Sequence, residues 1–210
     1  KEFRIGIIGG MGPAADIRLQ QLIREATPAQ IDQDHLQILC FSNSSIPDRT
    51  ELLARDGGDV LASALVESAR VLERAGATML VMACHTAHAR FADVARAVSI
   101  PVLDLVGLTV NEVLGQYPNI RRVGILATDG TLQAGLYVHA FGGRGVVCIE
   151  PDLVEQSLLM RAVYAIKGGA SEAAVSSDLQ SVAAHLVSRG VEVLVLACTE
   201  LSLCTSVFMR

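Results

Sequence analysis

The chain has no tryptophan, and aromatic residues make up 4% of its 210 positions. That is too few for the stacking platforms that hold single-stranded nucleic acids. A basic excess is also missing: 17 Lys and Arg stand against 22 Asp and Glu, a formal charge of −5. With no basic run or basic amphipathic stretch, neither a nucleic-acid partner nor an anionic membrane surface is expected. No apolar run approaches the roughly 18 residues of a membrane span. Lys1-Glu2-Phe3-Arg4 leads directly into an apolar stretch without the anatomy of a signal peptide. The five cysteines, an odd number in a chain of this size, do not form a secreted disulfide framework. A reducing, cytoplasmic setting is expected.

What is present is apolar material for a core: 51% hydrophobic against 19% charged residues, which excludes disorder. Apolar runs of five to eight residues alternate with longer amphipathic segments, as in βα units around a parallel sheet. Strands are expected at Arg4–Gly9, Leu36–Phe41, Thr78–Ala83, Val102–Leu105, Arg122–Ala127, Val146–Ile149 and Glu192–Ala197. Helices are expected at Ala14–Ala26, Asp59–Ala75, Ala87–Val98, Thr109–Leu114, Leu132–Phe141, Val154–Ile166 and Glu172–Ser188. Leu61, Leu65, Ala69, Leu72 and Ala75 fall on one helical stripe.

Two segments recur in the same order. Arg4-Ile5-Gly6-Ile7-Ile8-Gly9 matches Arg122-Val123-Gly124-Ile125-Leu126-Ala127, and Gly76–Cys84 matches Gly190–Cys198. The spans are close: Gly6 to Cys84 is 84 − 6 = 78 residues, and Gly124 to Cys198 is 198 − 124 = 74. The expected fold is α/β, with two pseudo-twofold-related lobes over residues 1–106 and 107–210. Each would be a mainly parallel sheet flanked by helices, with the active site in the cleft between them.

The recurring segments both end in a cysteine at the carboxyl end of an expected strand, where open α/β sheets bind ligands. Two opposed thiols suit inversion at a carbon: one removes the Cα proton and the other supplies a proton to the opposite face. Backbone N–H groups at the start of a following helix stabilise the thiolate, the active form. Thr86 and Thr199 are placed to orient these turns or donate to a carboxylate. A buried cysteine is usually a small hydrophobe, and Cys40, Cys148 and Cys204 keep that reading. The match sets Cys84 and Cys198 apart. A weaker alternative makes Cys84, His85 and His88 metal ligands, but no second Cys/His cluster completes a closed zinc site.

Gly9-Gly10-Met11-Gly12-Pro13, Ile46-Pro47-Asp48-Arg49-Thr50, Ala83-Cys84-His85-Thr86-Ala87-His88 and Ala197-Cys198-Thr199-Glu200-Leu201 together resemble the aspartate/glutamate racemase family, most nearly its aspartate branch. The resemblance spans nearly the whole chain. It implies a pyridoxal-independent, metal-free amino-acid racemase that needs no cofactor and forms a homodimer, with Cys84 and Cys198 as acid and base. It also implies that Met11 and Gly12 line the cleft floor and that Arg49 clamps a substrate carboxylate through paired hydrogen bonds. Thr128 and Thr131 would hold the substrate in the second lobe, or else cap the next helix. Thr86 and Thr199 match the threonines after each family cysteine. Lys167 would reach a distal carboxylate, or else lie on the surface. Glu200 would orient the second turn, or else repel a dicarboxylate.

Two departures stand out. The family usually has Asn where this chain has His85; an imidazole can take over the donor role, and when charged it can pair with a thiolate. Family chains also continue further past the second cysteine, whereas 210 − 198 = 12 residues follow here, so Ser206–Arg210 is expected to be a diverged or shortened end. Two other readings share the scaffold: a diacid cis–trans isomerase using one cysteine as nucleophile, and a dicarboxylate-binding relative without turnover. Aspartate and glutamate are not distinguished by these residues.

Overall fold

A computed structural model describes residues 3–209. Lys1, Glu2 and Arg210, which belong to the expected strand entry and altered end, lie outside the described residues. The chain divides into two compact units, Lys1–Leu105 and Val106–Arg210.

The first unit contains β1 (Arg4–Gly9), α1 (Pro13–Ala26), β2 (Gln37–Ser42), α2 (Arg49–Asp56), α3 (Asp59–Arg74), β3 (Met79–Met82), α4 (Phe91–Ala97) and β4 (Val102–Leu103). Its strands pair in parallel in the order β2-β1-β3-β4. Alternate β1 residues serve opposite faces, as the period of two requires. Ile8 packs with Leu61, Leu65 and Leu72 of α3, while Ile5 and Ile7 pack with Leu19 and Ile23 of α1. Of the expected stripe, Leu61, Leu65, Ala69 and Leu72 form the buried face of α3, whereas Ala75 is the C-cap and is exposed.

The chain crosses into the second unit through α5 (Leu105–Gln116). There follow β5 (Arg122–Ala127), α6 (Asp129–Gln133), α7 (Leu136–Gly142), β6 (Val147–Ile149), α8 (Leu153–Lys167), α9 (Glu172–Ser188), β7 (Val193–Ala197) and α10 (Thr205–Phe208). The sheet is parallel, in the order β6-β5-β7. Leu126 faces Leu159, Val163 and Leu179 of the α8–α9 pair, whereas Val123 and Ile125 face Tyr137 and Phe141 of α7.

The paired glycines have one physical cause. A Cβ at Gly6 would lie 2.6 Å from the Leu80 side chain and 2.9 Å from Ala77; at Gly124 it would lie 2.8 Å from Leu194 and 2.9 Å from Val191. Each central strand thus gives up a side chain so that its neighbour can pack closely.

Several expected elements differ. The segment expected as one helix over Ala87–Val98 begins as a 3-10 turn over Thr86–Arg90 and becomes α4 only at Phe91. The helix expected over Leu132–Phe141 is broken at Gly135, whose φ of 65° is left-handed. α5 is longer than expected, and α2 was not anticipated. Asp48 caps α2 by accepting from Thr50 N at 2.9 Å and Glu51 N at 3.2 Å; the Asp48–Glu51 spacing is the sequence signal for such a start. Ser206, Val207 and Phe208 of the expected altered end belong to α10, which places Val207 in the second unit's core. Among the described residues, no helix is long and apolar enough to cross a membrane.

Candidate active site

In the first unit, parallel register sets Ile8 beside Met82. The loop leaving β1 and the turn leaving β3 therefore emerge at the same sheet edge. That loop is Gly10-Met11-Gly12, and Cys84 begins the turn. Asp16, in the first turn of α1 and 1% exposed, holds the loop from below: its carboxylate accepts from Gly10 N at 2.7 Å and Ser42 Oγ at 2.6 Å. Gly12 is the residue that precedes α1.

Met11 is buried, and its carbonyl accepts from Arg49 Nη2 at 3.1 Å. Arg49 Nη1 reaches the carbonyls of Pro47 at 3.3 Å and Ile46 at 3.5 Å. Arg49 is thus a buried cation on the first residue of α2 rather than a solvated loop residue. Its contacts are backbone carbonyls, it has no carboxylate partner among the described residues, and its buried Nε meets no acceptor there. A positive side chain at a helix N-terminus adds to the positive end of the helix dipole.

Cys84 is 5% exposed and touches the first unit's core. His85 and Thr86 are buried beside it. Burial, and then the neighbouring His88, lower the pKa of His85 to about 3. The imidazole is therefore neutral at ordinary pH, which removes the expected imidazolium–thiolate pairing and leaves the neutral donor role. His88 accepts from Leu105 N at Nε2 (3.2 Å), so its Nδ1 carries the proton and donates to the Cys84 carbonyl at 2.8 Å. Both ring nitrogens are engaged, so His88 has none to offer a metal.

In the second unit, Ala127 and Ala197 are register partners. Thr128 and Cys198, the next residues, lie side by side at the strand ends. Thr128 caps α6, accepting from Thr131 N at 3.4 Å, and the two threonine hydroxyls are 3.0 Å apart. The capping reading of this pair is therefore observed. Cys198 is 4% exposed. Its Sγ donates to Glu200 Oε2 at 3.1 Å, and Thr199 Oγ1 donates to the same oxygen at 3.3 Å. Glu200 is buried, and its Oε1 meets no donor among the described residues.

Lys167 stands apart. It is exposed at the end of α8, with Nζ 5.1 Å from the centre of the Tyr164 ring. All five cysteines are thiols. Cys204 is buried as expected, but Cys40 is exposed on the edge strand β2, and Cys148 on the edge strand β6 is half-buried against α7, its Sγ 3.6 Å from the Tyr137 carbonyl. An open groove of about 410 Å³ between α1 and the start of β2, lined by residues such as Ile17, Ile23 and Ile38, contains neither Cys84 nor Cys198.

Three contributors were not anticipated. Asp16 carries a usable signal, an acid in the first helical turn after a glycine loop. Gln156, which donates to the Ala127 carbonyl at 3.0 Å and to Asp129 at 2.7 Å, carries none, since it arrives from α8. His88 was considered only as a metal ligand.

The class this defines is a two-unit α/β protein with a buried thiol within two residues of the end of a parallel strand in each unit. Residues 8–209 match the family described as Asp/Glu/hydantoin racemase, and the chain belongs to that family. It is 25% identical over 204 residues to the broad-specificity amino-acid racemase RacX of Bacillus subtilis, covering 94% of this chain and 86% of RacX. Among solved structures it is similar to the aspartate racemase of Picrophilus torridus. There the TM-score is 0.83 and the identity 27%, over 96% of this chain and 83% of the other. The glutamate racemase of Francisella tularensis, solved with D-glutamate, shares the fold, with TM-score 0.68 and 18% identity over 99% and 72% of the two chains.

Proposed function

We propose that the chain is an amino-acid racemase for aspartate, glutamate or both, working without pyridoxal or any other cofactor. Cys84 and Cys198 exchange the roles of base and acid. The thiolate of one removes the Cα proton from one face, and the thiol of the other delivers a proton to the opposite face. Atoms balance: each turnover consumes one proton and supplies one, leaving the protonation of the two sulfurs exchanged. The single observation that carries this reading is the recurrence of a buried thiol at the same point of two matched strand-to-turn segments. A core needs no such match.

The surrounding groups fit these roles. Arg49, a buried cation without a carboxylate partner, suits the substrate's carboxylate and the charge that develops there as the proton leaves. The neutral His85 supplies a donor where an amide is usual in the family. Glu200 receives the Cys198 proton when that sulfur becomes the base, since the contact already exists. Thr86, Thr128, Thr131 and Thr199 offer hydroxyls, while Met11 and Gly12 form the loop beside Cys84. Lys167 reaches a distal carboxylate only by leaving Tyr164. The deep burial of both sulfurs suits proton transfer away from bulk water. Thiols held reduced suit a reducing compartment, and we place the chain in the cytoplasm on that ground.

The test is entry of deuterium at Cα in deuterated water, followed by NMR over a panel of α-amino acids. The wild type exchanges aspartate or glutamate, and Cys84→Ala and Cys198→Ala each reduce this by about 10³-fold, the middle of the range for a lost acid–base group. A wild type that exchanges none of them, or full activity in either variant, would contradict the proposal.

A further inference from the structure

We propose that His88 is a positioning residue for the first thiol, holding the Cys84 carbonyl and the Leu105 amide at once and so tying the cysteine-bearing turn to the start of α5. Its kinetic consequence rests on the racemase reading above, but the geometry does not. The ring is 5% exposed and lies parallel to Phe91 of α4, with centroids 5.9 Å apart and planes 10° apart. Its nitrogens reach Cys84, four residues before it, and Leu105, 17 residues after it. A residue that only filled space would need neither polar atom.

The second bond gives the strut its reach. Leu105 is the first residue of α5, and the first amides of a helix have no partner within it. His88 Nε2 supplies one. Leu105 also closes the first compact unit, and Val106 opens the second. One ring therefore joins the first amide of α5 to the carbonyl of the residue bearing the thiol. Nε2 accepts only while the ring is neutral, and burial pushes its pKa down. The ionisable groups acting on it are His85, which would repel a charge, and Asp104, which would favour one.

The test compares His88→Ala, His88→Asn and His88→Gln. The Asn amide can replace Nδ1 toward Cys84, and the Gln amide can replace Nε2 toward Leu105. Iodoacetamide labelling resolved by mass spectrometry compares Cys84 with Cys198, and kcat and KM are measured for Cα exchange. Losing a buried hydrogen bond frees the turn by about tenfold. His88→Ala is therefore expected to speed Cys84 labelling about tenfold and lower kcat about tenfold. Cys198 labelling and KM should stay within about twofold of the wild type, a margin well below one lost bond. His88→Asn should restore most of the slow Cys84 labelling, and His88→Gln should not. Unchanged Cys84 labelling in His88→Ala would overturn the inference. So would equal acceleration at both cysteines, the mark of general loosening, or restoration by Gln alone. If no amino acid exchanges in the wild type, the racemase reading fails, and the labelling ratio still decides the role of His88.

Discussion

Cys84 and Cys198 each leave a parallel strand and enter a short 3-10 segment, yet their neighbours differ in charge. The first turn is surrounded by neutral imidazoles, with its carbonyl held by His88. The second has a buried carboxylate against the sulfur itself. The strand that delivers each cysteine is repeated and the surroundings are not. On the proposed function, the repeat supplies the symmetry that inversion requires, and the differing neighbours let the two sulfurs trade protons with different partners.

The comparison can be broken most sharply at Arg49 of the first unit, the residue proposed to hold the substrate's carboxylate. A Lys ammonium cannot reproduce the planar fork. Arg49→Lys is expected to raise KM by about tenfold to a hundredfold, the loss of a charge-assisted pair, with the fold intact by circular dichroism. At the second turn, Glu200→Gln keeps the shape but cannot take a proton from sulfur. It should slow proton removal by Cys198 by about tenfold or more, and slow removal by Cys84 less. Rates measured separately from each enantiomer check this, and equal slowing would remove the asymmetry.

Two smaller effects test what the units share and where they differ. Gly6→Ala and Gly124→Ala push a methyl into Leu80 and Leu194 respectively. Each should cost about 1–3 kcal/mol of stability by urea unfolding, with similar values if the repeat is packed alike. His85 works the other way, as a feature of one unit alone. Its folded pKa of about 3 lies below the ordinary value near 6.5, so the unfolded chain binds the extra proton first. Stability is held above pH 6.5 and falls as pH drops toward 3. His85→Asn should flatten that part of the melting-temperature profile.

Much of the architecture was readable because it rests on short-range patterns. Arg4–Gly9, Arg122–Ala127 and Glu172–Ser188 form over the spans their composition indicates. The break at Gly135 and the 3-10 start before α4 were not readable, since a helical apolar period runs across both. At the candidate site, the paired cysteines and their threonines could be found from the repeat alone. The burial of Arg49 could not, because it depends on a helix whose start is fixed by Asp48 and on a carbonyl 38 residues away. The contact of Glu200 with sulfur and the two bonds of His88 likewise depend on rotamers and on segments brought together by folding.

The central claim is that the two sulfurs act on opposite faces of one carbon. The most direct test runs a single enantiomer in deuterated water and analyses both enantiomers early in the reaction. Two opposed thiols predict deuterium at Cα of the newly formed enantiomer while the remaining starting enantiomer keeps its protium. Product that retains protium, or label entering both enantiomers equally from the start, would contradict it.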